Sequence, residues 1–345
     1  MTFYGKNKLY SIDQVIYTFG SACDKHYGHI ILQGDGQIGI YKNFNETYWK
    51  INNNKLFLLN ANMEKTSEFT YDENSGAWFG YVIGTKWPMY LFPIIKVNVK
   101  KELKKKAILI NSIPKSGTYF LESIIHDCKY IPTKLHVSSN DVIHDNRCVI
   151  KENIHFNPGS RYIKCNLSSL SKLLSNTQTV TVGHIEDKIT IDSFINNDFV
   201  VISVVRNLRD VLVSLMRFKE KIVKPRSPAD TLWHSLEGSD KLVGFISYYH
   251  ESDIQHIKQV TQNILNYPET IIKYEELLSN EFNSNPLNEI GNIETLHYAI
   301  KNNINKNNST FSGNRSNYLD FWNDNIEEYF ETSGLKALNL KLGYN

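Results

Sequence analysis

Residues 111–121 read NSIPKSGTYFL, and the interpretation of the whole chain starts from this stretch. The apolar run Ala107–Ile110 before it predicts a short buried strand. A proline and a glycine then predict a tight loop, and Thr118–Leu121 begins a segment with helical spacing. A loop at a helix N-terminus offers backbone N–H groups and a favourable dipole to an anion, and Lys115 adds a positive charge. The stretch predicts an anion site; the alternative is an ordinary strand–turn–helix connection.

Composition limits the classes of protein to consider. The chain has 345 residues, 41% hydrophobic and 21% charged, as expected for a globular protein with a substantial core. A net charge of +2 does not favour a nucleic-acid partner. The four cysteines form no CxxC pair, which predicts free thiols and no structural metal. Without a leader-like N-terminus or an apolar run of membrane-spanning length, we expect a cytoplasmic protein with no membrane span.

Residues 1–100 are predicted to form a separate β-rich domain. Three pairs of strand-like runs, at 29–33 and 37–41, 47–51 and 55–59, and 66–71 and 77–83, predict three hairpins and a small antiparallel sheet. The segment is rich in aromatic residues, which suggests either a surface for stacking sugars or binding a partner, or simply strand cores. These aromatic residues are Tyr41, Tyr48, Trp49, Trp78, Phe79, Tyr81, Trp87 and Tyr90.

Residues 101–345 are predicted to form a second, α/β domain. The basic run Lys96–Lys106 is interpreted as the connector before it, with attraction of an anionic ligand as the alternative. Beyond it, strands alternate with helices, which predicts a parallel sheet with flanking helices. The predicted strands are 107–111, 179–182, 199–205 and 270–273, and the predicted helices are 118–128, 187–195, 208–218, 240–265, 275–279, 293–302 and 320–330. Residues 130–174 give no clear pattern, and we interpret them as loops around a site.

A second candidate anion site follows the apolar run Phe199–Val205. Arg206 comes directly after this predicted strand, at the end where open α/β sheets bind ligands. Ser214 lies about two helical turns further on. A guanidinium group suits a phosphate monoester, although an arginine at this place is equally typical of a structural ion pair. Two such loops, each with a cation and a hydroxyl group, predict a ligand with two separated anionic groups.

Both loops resemble motifs of the sulfotransferases that use 3′-phosphoadenosine 5′-phosphosulfate (PAPS). IPKSGTYFL at 113–121 is similar to their 5′-phosphosulfate loop, usually PKSGTTWL. VVRNLRDVLVSLMRF at 204–218 is similar to their 3′-phosphate motif, usually RNPRDVLVSYYHF, with the same Arg-to-Ser spacing. IIKYEEL at 271–277 and TFSGNRSNYLDFW at 310–322 are weaker matches. The resemblance covers about residues 107–345 and implies a parallel-sheet fold like that of P-loop NTPases.

The resemblance also implies roles for individual residues. Lys115 is expected to contact the phosphosulfate and stabilise charge on the leaving oxygen, and residues 116–119 to cradle the 5′-phosphate. Arg206 and Ser214 are expected at the 3′-phosphate and Tyr274 near the adenine. The full set expected at the nucleotide is Lys115, Ser116, Gly117, Thr118, Tyr119, Phe120, Arg206, Ser214, Tyr274, Ser312, Gly313 and Arg315.

The chain departs from the family pattern at several of these positions. Phe120 replaces a tryptophan that stacks on adenine, and Tyr119 replaces a threonine at the mouth of the loop. Ser312 and Gly313 stand where the family has an Arg-Lys-Gly element, and we expect Arg315 to substitute for the missing arginine at the 3′-phosphate.

His184 is the expected catalytic base. It directly follows the predicted strand Thr179–Val182 and Gly183, the place where the family has its base, and histidine suits proton transfer near neutral pH. The resemblance therefore implies in-line sulfonate transfer from PAPS, as co-substrate and without a metal, to a hydroxyl or amine group of a small-molecule or carbohydrate acceptor. Two other interpretations stay open: a nucleotide-dependent kinase or NTPase, although the GxxxxGK[ST] spacing is missing, and a non-catalytic glycan-binding protein.

Overall fold

The computed structural model describes residues 2–4, 9–11, 16–21, 25–33, 35–39, 41, 43–73, 77–93, 105–145, 162–164, 167–175, 178–222, 225, 227–279, 286–304 and 318–345. The chain divides into two compact units. The first contains residues 1–104, 141–145 and 161–177, and the second contains residues 105–140, 146–160 and 178–345. Most of the predicted connector, residues 96–104, lies outside the described residues.

The first unit is built mainly from antiparallel strands. They are β1 (Thr2–Tyr4), β2 (Leu9–Ser11), β3 (Ile16–Ser21), β4 (Lys25–Leu32), β5 (Ile38–Gly39), β6 (Tyr48–Asn52), β7 (Lys55–Leu59), β8 (Lys65–Asp72), β9 (Ala77–Val82) and β10 (Pro88–Pro93). Strands β1 and β2 pair with each other, and the other eight form one sheet in the order β5-β4-β3-β10-β9-β8-β7-β6. The three predicted hairpins are confirmed as β4–β5, β6–β7 and β8–β9.

The eight-stranded sheet closes on itself. Its two outermost strands, β5 and β6, are joined by a bridge between Gln37 and Tyr48 and by a hydrogen bond of 3.0 Å from the Ile38 N–H to the Thr47 carbonyl. Closure satisfies the backbone groups that sheet edges leave unpaired. Of the predicted aromatic residues, some fill the core and others are exposed. Trp49 and Trp78 belong to the buried apolar cluster, whereas Phe79, Tyr81 and Trp87 are exposed.

The second unit begins with β11 (Ile108–Ser112), α1 (Thr118–Asp127) and β12 (Ile131–Ser138). The chain next forms β13 (Val142–Asp145), β14 (Tyr162–Lys164) and α2 (Leu167–Leu174), which are grouped with the first unit. It continues through β15 (Thr179–Gly183), α3 (Lys188–Asn196), β16 (Val200–Val205), α4 (Leu208–Ile222), α5 (Pro228–Ser235), α6 (Gly238–Ile264), β17 (Ile271–Lys273), α7 (Tyr274–Ser279), α8 (Ile293–Ile304), α9 (Asp324–Thr332) and α10 (Leu335–Lys341).

The predicted parallel pairing is present in the second unit. Strands β12, β15, β11, β16 and β17 are neighbours in that order, and each neighbouring pair is parallel. Every residue of β11, β15 and β16 is buried, as expected for a parallel sheet covered on both faces. The register sets Asn111 opposite Gly183, and Ser112 opposite Val204. The carboxyl ends of β11, β15 and β16 therefore meet at one edge of the sheet.

Two predictions about elements in this part of the chain were wrong. Residues 130–174, interpreted as loops, contain three strands and α2. The last predicted helix, 320–330, instead starts at Asp324, because the Asn323 side chain accepts a hydrogen bond of 3.0 Å from the Ile326 N–H and caps α9 there. No helix in the described part of the chain is long and apolar enough to cross a membrane.

Candidate functional site

The loop between β11 and α1 has the backbone of an anion cradle. Lys115 has φ 68° and Gly117 has φ 105°, both in the left-handed region, which is unusual for a lysine. Gly117 is the N-cap residue of α1, and no side chain caps this helix end. The first N–H groups of a helix have no acceptor within the helix, so this end of α1 favours a negatively charged ligand.

The loop hydroxyl groups are engaged within the protein. The Ser116 hydroxyl is fully buried and lies 2.7 Å from the Ile113 carbonyl and 2.8 Å from the Val204 carbonyl. The Thr118 hydroxyl lies 2.6 Å from the Ser112 hydroxyl. Ser116 thus ties the loop to β16. The expected contacts of residues 116–119 with a 5′-phosphate, through backbone N–H groups and the Thr118 hydroxyl, stay predictions.

Lys115 and Arg206 bring two positive charges to the same edge of the sheet. The Lys115 ammonium lies 4.1 Å from the centre of the Phe218 ring. Burial, together with the nearby Arg206 charge, lowers the pKa of Lys115 to about 8. A lysine beside a second cation in a low-dielectric environment is unfavourable by itself. An anionic ligand between these groups offsets that cost.

Arg206 has a buried donor without an acceptor. Its Nε is buried and has no hydrogen-bond partner among the described residues. The nearest carboxylate is that of Asp210, 4.0 Å from one of the terminal nitrogens of Arg206, and burial raises the pKa of Asp210. Unpaired buried donors are rare in proteins and mark candidate ligand contacts. The Arg206 side chain therefore has the chemistry expected for a phosphate contact.

Tyr274 packs beside both predicted phosphate loops. Its ring lies 5.1 Å from the Arg206 guanidinium and 6.0 Å from the Phe120 ring. A Cβ atom added at Gly117 would lie 2.5 Å from the Tyr274 ring, so only glycine fits at this approach. The structure thus groups Gly117, Phe120, Arg206 and Tyr274, whose proximity the resemblance implied.

Other predicted nucleotide contacts are less defined. Ser214 is half-buried on α4, two turns beyond Arg206 along the chain. Tyr119 lies on the first turn of α1, and its hydroxyl group is 3.4 Å from Nδ1 of His136. Ser312, Gly313 and Arg315 lie outside the described residues, so their roles stay predictions.

His184 stands at the end of β15 with its ring held by the backbone. Its Nδ1 lies 2.6 Å from the Ser112 carbonyl, which accepts a hydrogen bond and so places the proton on Nδ1. The lone pair is then on Nε2, the form that a general base needs. Since Ser112 also contacts Thr118, the predicted base and the predicted phosphate loop share one strand end.

Three polar residues near His184 were missed by the sequence analysis. The His136 ring is 4.5 Å from the His184 ring, and the His256 ring is 6.1 Å from it. Glu186 bonds to His256. The histidines in 130–174, which include His136, were a usable signal, whereas the helical pattern of α6 does not identify His256. No group of three or more His, Cys, Asp or Glu within the described ranges is arranged to hold a metal ion.

Comparison with known proteins supplies the family. The sulfotransferase domain family matches residues 105–293, which include both phosphate-loop motifs and His184. No curated protein matches the chain. Among solved structures, mouse sulfotransferase SULT7A1 complexed with PAP is 13% identical, covering 69% of this chain and 87% of its own, with a TM-score of 0.40. Retinol dehydratase in complex with androsterone and inactive cofactor PAP is 12% identical, covering 76% of this chain and 90% of its own, with a TM-score of 0.41.

The family match extends over more than half of the chain, from the residues before β11 to the start of α8. The match, together with the two motifs on which it is centred, shows that the chain belongs to the sulfotransferase domain family.

Proposed function

We propose that this protein transfers a sulfonate group from PAPS to a hydroxyl or amine group of a small-molecule or carbohydrate acceptor. Membership of the sulfotransferase family supports the class of reaction. The observation that carries the proposal is the buried Arg206 Nε without a partner, in electrostatic contact with Lys115. Two cations at one strand edge, beside an uncapped helix N-terminus, suit a donor that carries two separated anionic groups.

In this proposal, each loop holds one end of the nucleotide. Lys115 and the N–H groups at the start of α1 contact the phosphosulfate, and Arg206 with Ser214 contacts the 3′-phosphate. Phe120 and Tyr274 are near the adenine. When bound, PAPS supplies an activated sulfonate on a phosphate leaving group. Preorganised positive charge at the leaving oxygen is the largest expected contribution of the protein to the rate.

His184 takes the proton of the acceptor. The acceptor oxygen or nitrogen forms a bond to sulfur while the bond from sulfur to the phosphate oxygen breaks, and that oxygen keeps the electron pair. The acceptor proton moves to Nε2 of His184, giving an imidazolium ion. The Ser112 carbonyl supports this role because it holds the Nδ1 proton during the transfer.

The kinase or NTPase alternative is tested most directly by nucleotide binding. PAP, which is 3′-phosphoadenosine 5′-phosphate, at 100 times its Kd is expected to stabilise the folded protein by about 2.7 kcal/mol, a readily measured rise in Tm. ATP with Mg²⁺ is expected to give a much smaller rise. Stabilisation by ATP–Mg²⁺ alone would contradict the proposal and favour a kinase.

Transfer itself is tested with labelled donor and a panel of phenols, amines and sugars. The His184→Ala variant is expected to bind PAP like the wild type and to lose transfer by at least about 100-fold. Unchanged transfer in this variant would assign the base to another residue. The exposed Phe79, Tyr81 and Trp87 support a sugar acceptor, because aromatic faces stack on sugar rings. Label on phenols but never on sugars would contradict that part of the proposal.

A further inference from the structure

The segment after His184 is fastened to one face of α6. Asn263 donates from its side-chain nitrogen to the Ile185 carbonyl and to the Asp187 carbonyl, both at 3.0 Å. Two turns earlier on the same helix, His256 bonds through Nδ1 to the Glu186 carboxylate. The neutral contact and the charged contact thus hold the same short segment, directly beyond the predicted base.

The Glu186 carboxylate is well supplied with donors. In the amide orientation that satisfies both groups, the Gln259 nitrogen lies 3.2 Å from each Glu186 oxygen. The Glu186 N–H donates to the Ser139 hydroxyl at 2.8 Å. The side chains of Glu186 and His256 are 30% and 34% exposed, so their charges are only partly screened by water. These contacts keep the Glu186 carboxylate at a fixed position on the segment that follows the predicted base.

His184 is the group on which this charge acts. Its ring is close to two other imidazoles, His136 on β12 at 4.5 Å and His256 on α6 at 6.1 Å. Ser112 on β11 and Tyr119 on α1 also contact these rings and are neutral, whereas Glu186, on the segment of His184 itself, contributes a carboxylate. Through His256, the Glu186 carboxylate is placed where it can offset a positive charge that appears on His184.

We propose that Glu186, acting through His256, is a positioning residue that stabilises the imidazolium form of His184 during sulfonate transfer. The inference rests on the proposed function, since it assumes that His184 receives the acceptor proton. That proton brings a positive charge next to two other imidazoles, and the Glu186 carboxylate is bonded to one of them. The hydrogen bond between Glu186 and His256 fixes the position of the carboxylate charge and the orientation of the His256 ring, as in other carboxylate–imidazole pairs.

The test measures the histidines directly and needs no acceptor. Protein labelled with ¹³C-histidine is titrated by NMR, and the ring signals are assigned with single histidine variants. In Glu186→Gln, the titration midpoint of His184 is expected to fall by about 0.5–1 pH unit, because a negative charge that favours the protonated ring is lost. Glu186→Asp, which keeps the charge, is expected to restore most of the shift. An unchanged His184 midpoint in a folded Glu186→Gln variant overturns the inference.

Asn263→Ala is the matched control. It removes a neutral contact between α6 and the same segment, so Tm is expected to fall while the His184 midpoint stays at its wild-type value. A midpoint that moves as far in Asn263→Ala as in Glu186→Gln would show that loosening of the segment causes the shift, and would overturn the inference.

A kinetic arm uses an acceptor from the phenol, amine and sugar panel. Glu186→Gln is expected to lower kcat about tenfold and to move the acidic limb of the pH profile to lower pH. The double variant Glu186→Gln/His256→Gln is expected to lose no more than the worse single variant, because the two act as a unit. Additive losses of kcat in the double variant would contradict this expectation.

The thermal shift with PAP, measured on the same proteins, separates the proposed function from the role of Glu186. If PAP does not raise the Tm of the wild type, the proposed function is contradicted. If PAP raises the Tm normally but Glu186→Gln leaves the His184 titration midpoint unchanged, only the role of Glu186 is contradicted.

Discussion

Two regions of the molecule differ in the polar groups that they bury. One is the closed antiparallel sheet of the first unit, and the other is the loop edge of the parallel sheet in the second unit. Among the described residues inside the closed sheet, the fully buried polar groups are uncharged: the Trp49 indole, for example, donates to the Gln33 carbonyl at 2.8 Å, whereas the Ser67 hydroxyl has no hydrogen-bond partner. At the loop edge, the Arg206 Nε is buried without a partner, and Lys115 combines burial with a left-handed backbone. The first arrangement contributes to the stability of the fold, whereas the second buries an unfavourable charge that an anionic ligand would offset.

The largest expected effect comes from a pair of glycines, one in each region. Gly117→Ala forces a Cβ atom to within 2.5 Å of the Tyr274 ring at φ 105°. Backbone strain and overpacking together cost about 3–4 kcal/mol, and we expect PAP binding to weaken by roughly 100-fold or more. Isothermal titration calorimetry measures this loss.

Gly84→Ala in the first unit is the control. Gly84 also has a positive φ, 81°, but its added Cβ would meet nothing within 4 Å. The variant is expected to cost only about 1 kcal/mol of stability and to leave PAP affinity unchanged. Equal PAP affinities in the two alanine variants would show that the close approach of Gly117 to Tyr274 does not contribute to PAP binding.

Two arginines in one motif sharpen the contrast between structural and ligand-binding charge. Arg209 donates to Glu327 at 3.1 and 2.8 Å and packs 4.6 Å from the Phe330 ring, so Arg209→Gln is expected to lower the free energy of unfolding by about 2–3 kcal/mol. Arg206→Gln removes a donor without a partner and is expected to leave stability equal or higher, while PAP binding falls about 30-fold. Urea unfolding and calorimetry compare the pair; equal destabilisation by both would contradict the distinction.

The pKa of Lys115 predicts how the affinity for PAP depends on pH. With its pKa lowered to about 8, Lys115 loses its proton as the pH rises through that value, and PAP affinity is expected to fall about fivefold between pH 8 and 9. Because the folded pKa lies below the unfolded value of 10.5, Lys115 opposes folding below pH 8, and this cost fades between pH 8 and 10.5. Calorimetry across this range tests the expectation. The same fall in Lys115→Met would assign it to another group.

The smallest effect concerns acid stability. Hydrogen bonding to Arg209 holds the pKa of Glu327 at about 2, below its ordinary value of 4.5. The resulting stabilisation is complete above pH 4.5 and is lost as the pH falls toward 2; for this partly exposed carboxylate it amounts to about 1 kcal/mol. Between pH 6 and pH 3, the Tm is expected to fall less steeply in Arg209→Gln than in the wild type. Parallel curves would contradict the assignment.

The sequence predicted the features of the molecule that depend on short, continuous stretches of residues. Lys115, His184 and Arg206 each follow an apolar strand, and a parallel sheet brings such positions to one edge, so their grouping was predictable. Glu186 and His256 were missed because only the packing of α6 against the segment after β15 brings them together. The closure of the first sheet was missed for a similar reason: besides the bridge between Gln37 and Tyr48, it requires β3 to pair with β10, which is far from β3 in the sequence.

The central position of β11 has a consequence for the order of assembly. β11 pairs on one side with β15 and on the other with β16, and both strands are synthesised long after the phosphate loop itself. The loop receives its anchor to the Val204 carbonyl only when β16 has joined the sheet. Contacts between distant parts of a chain form late and slow folding. A nascent chain that ends before residue 200 therefore carries the complete Lys-Ser-Gly-Thr sequence without the folded cradle.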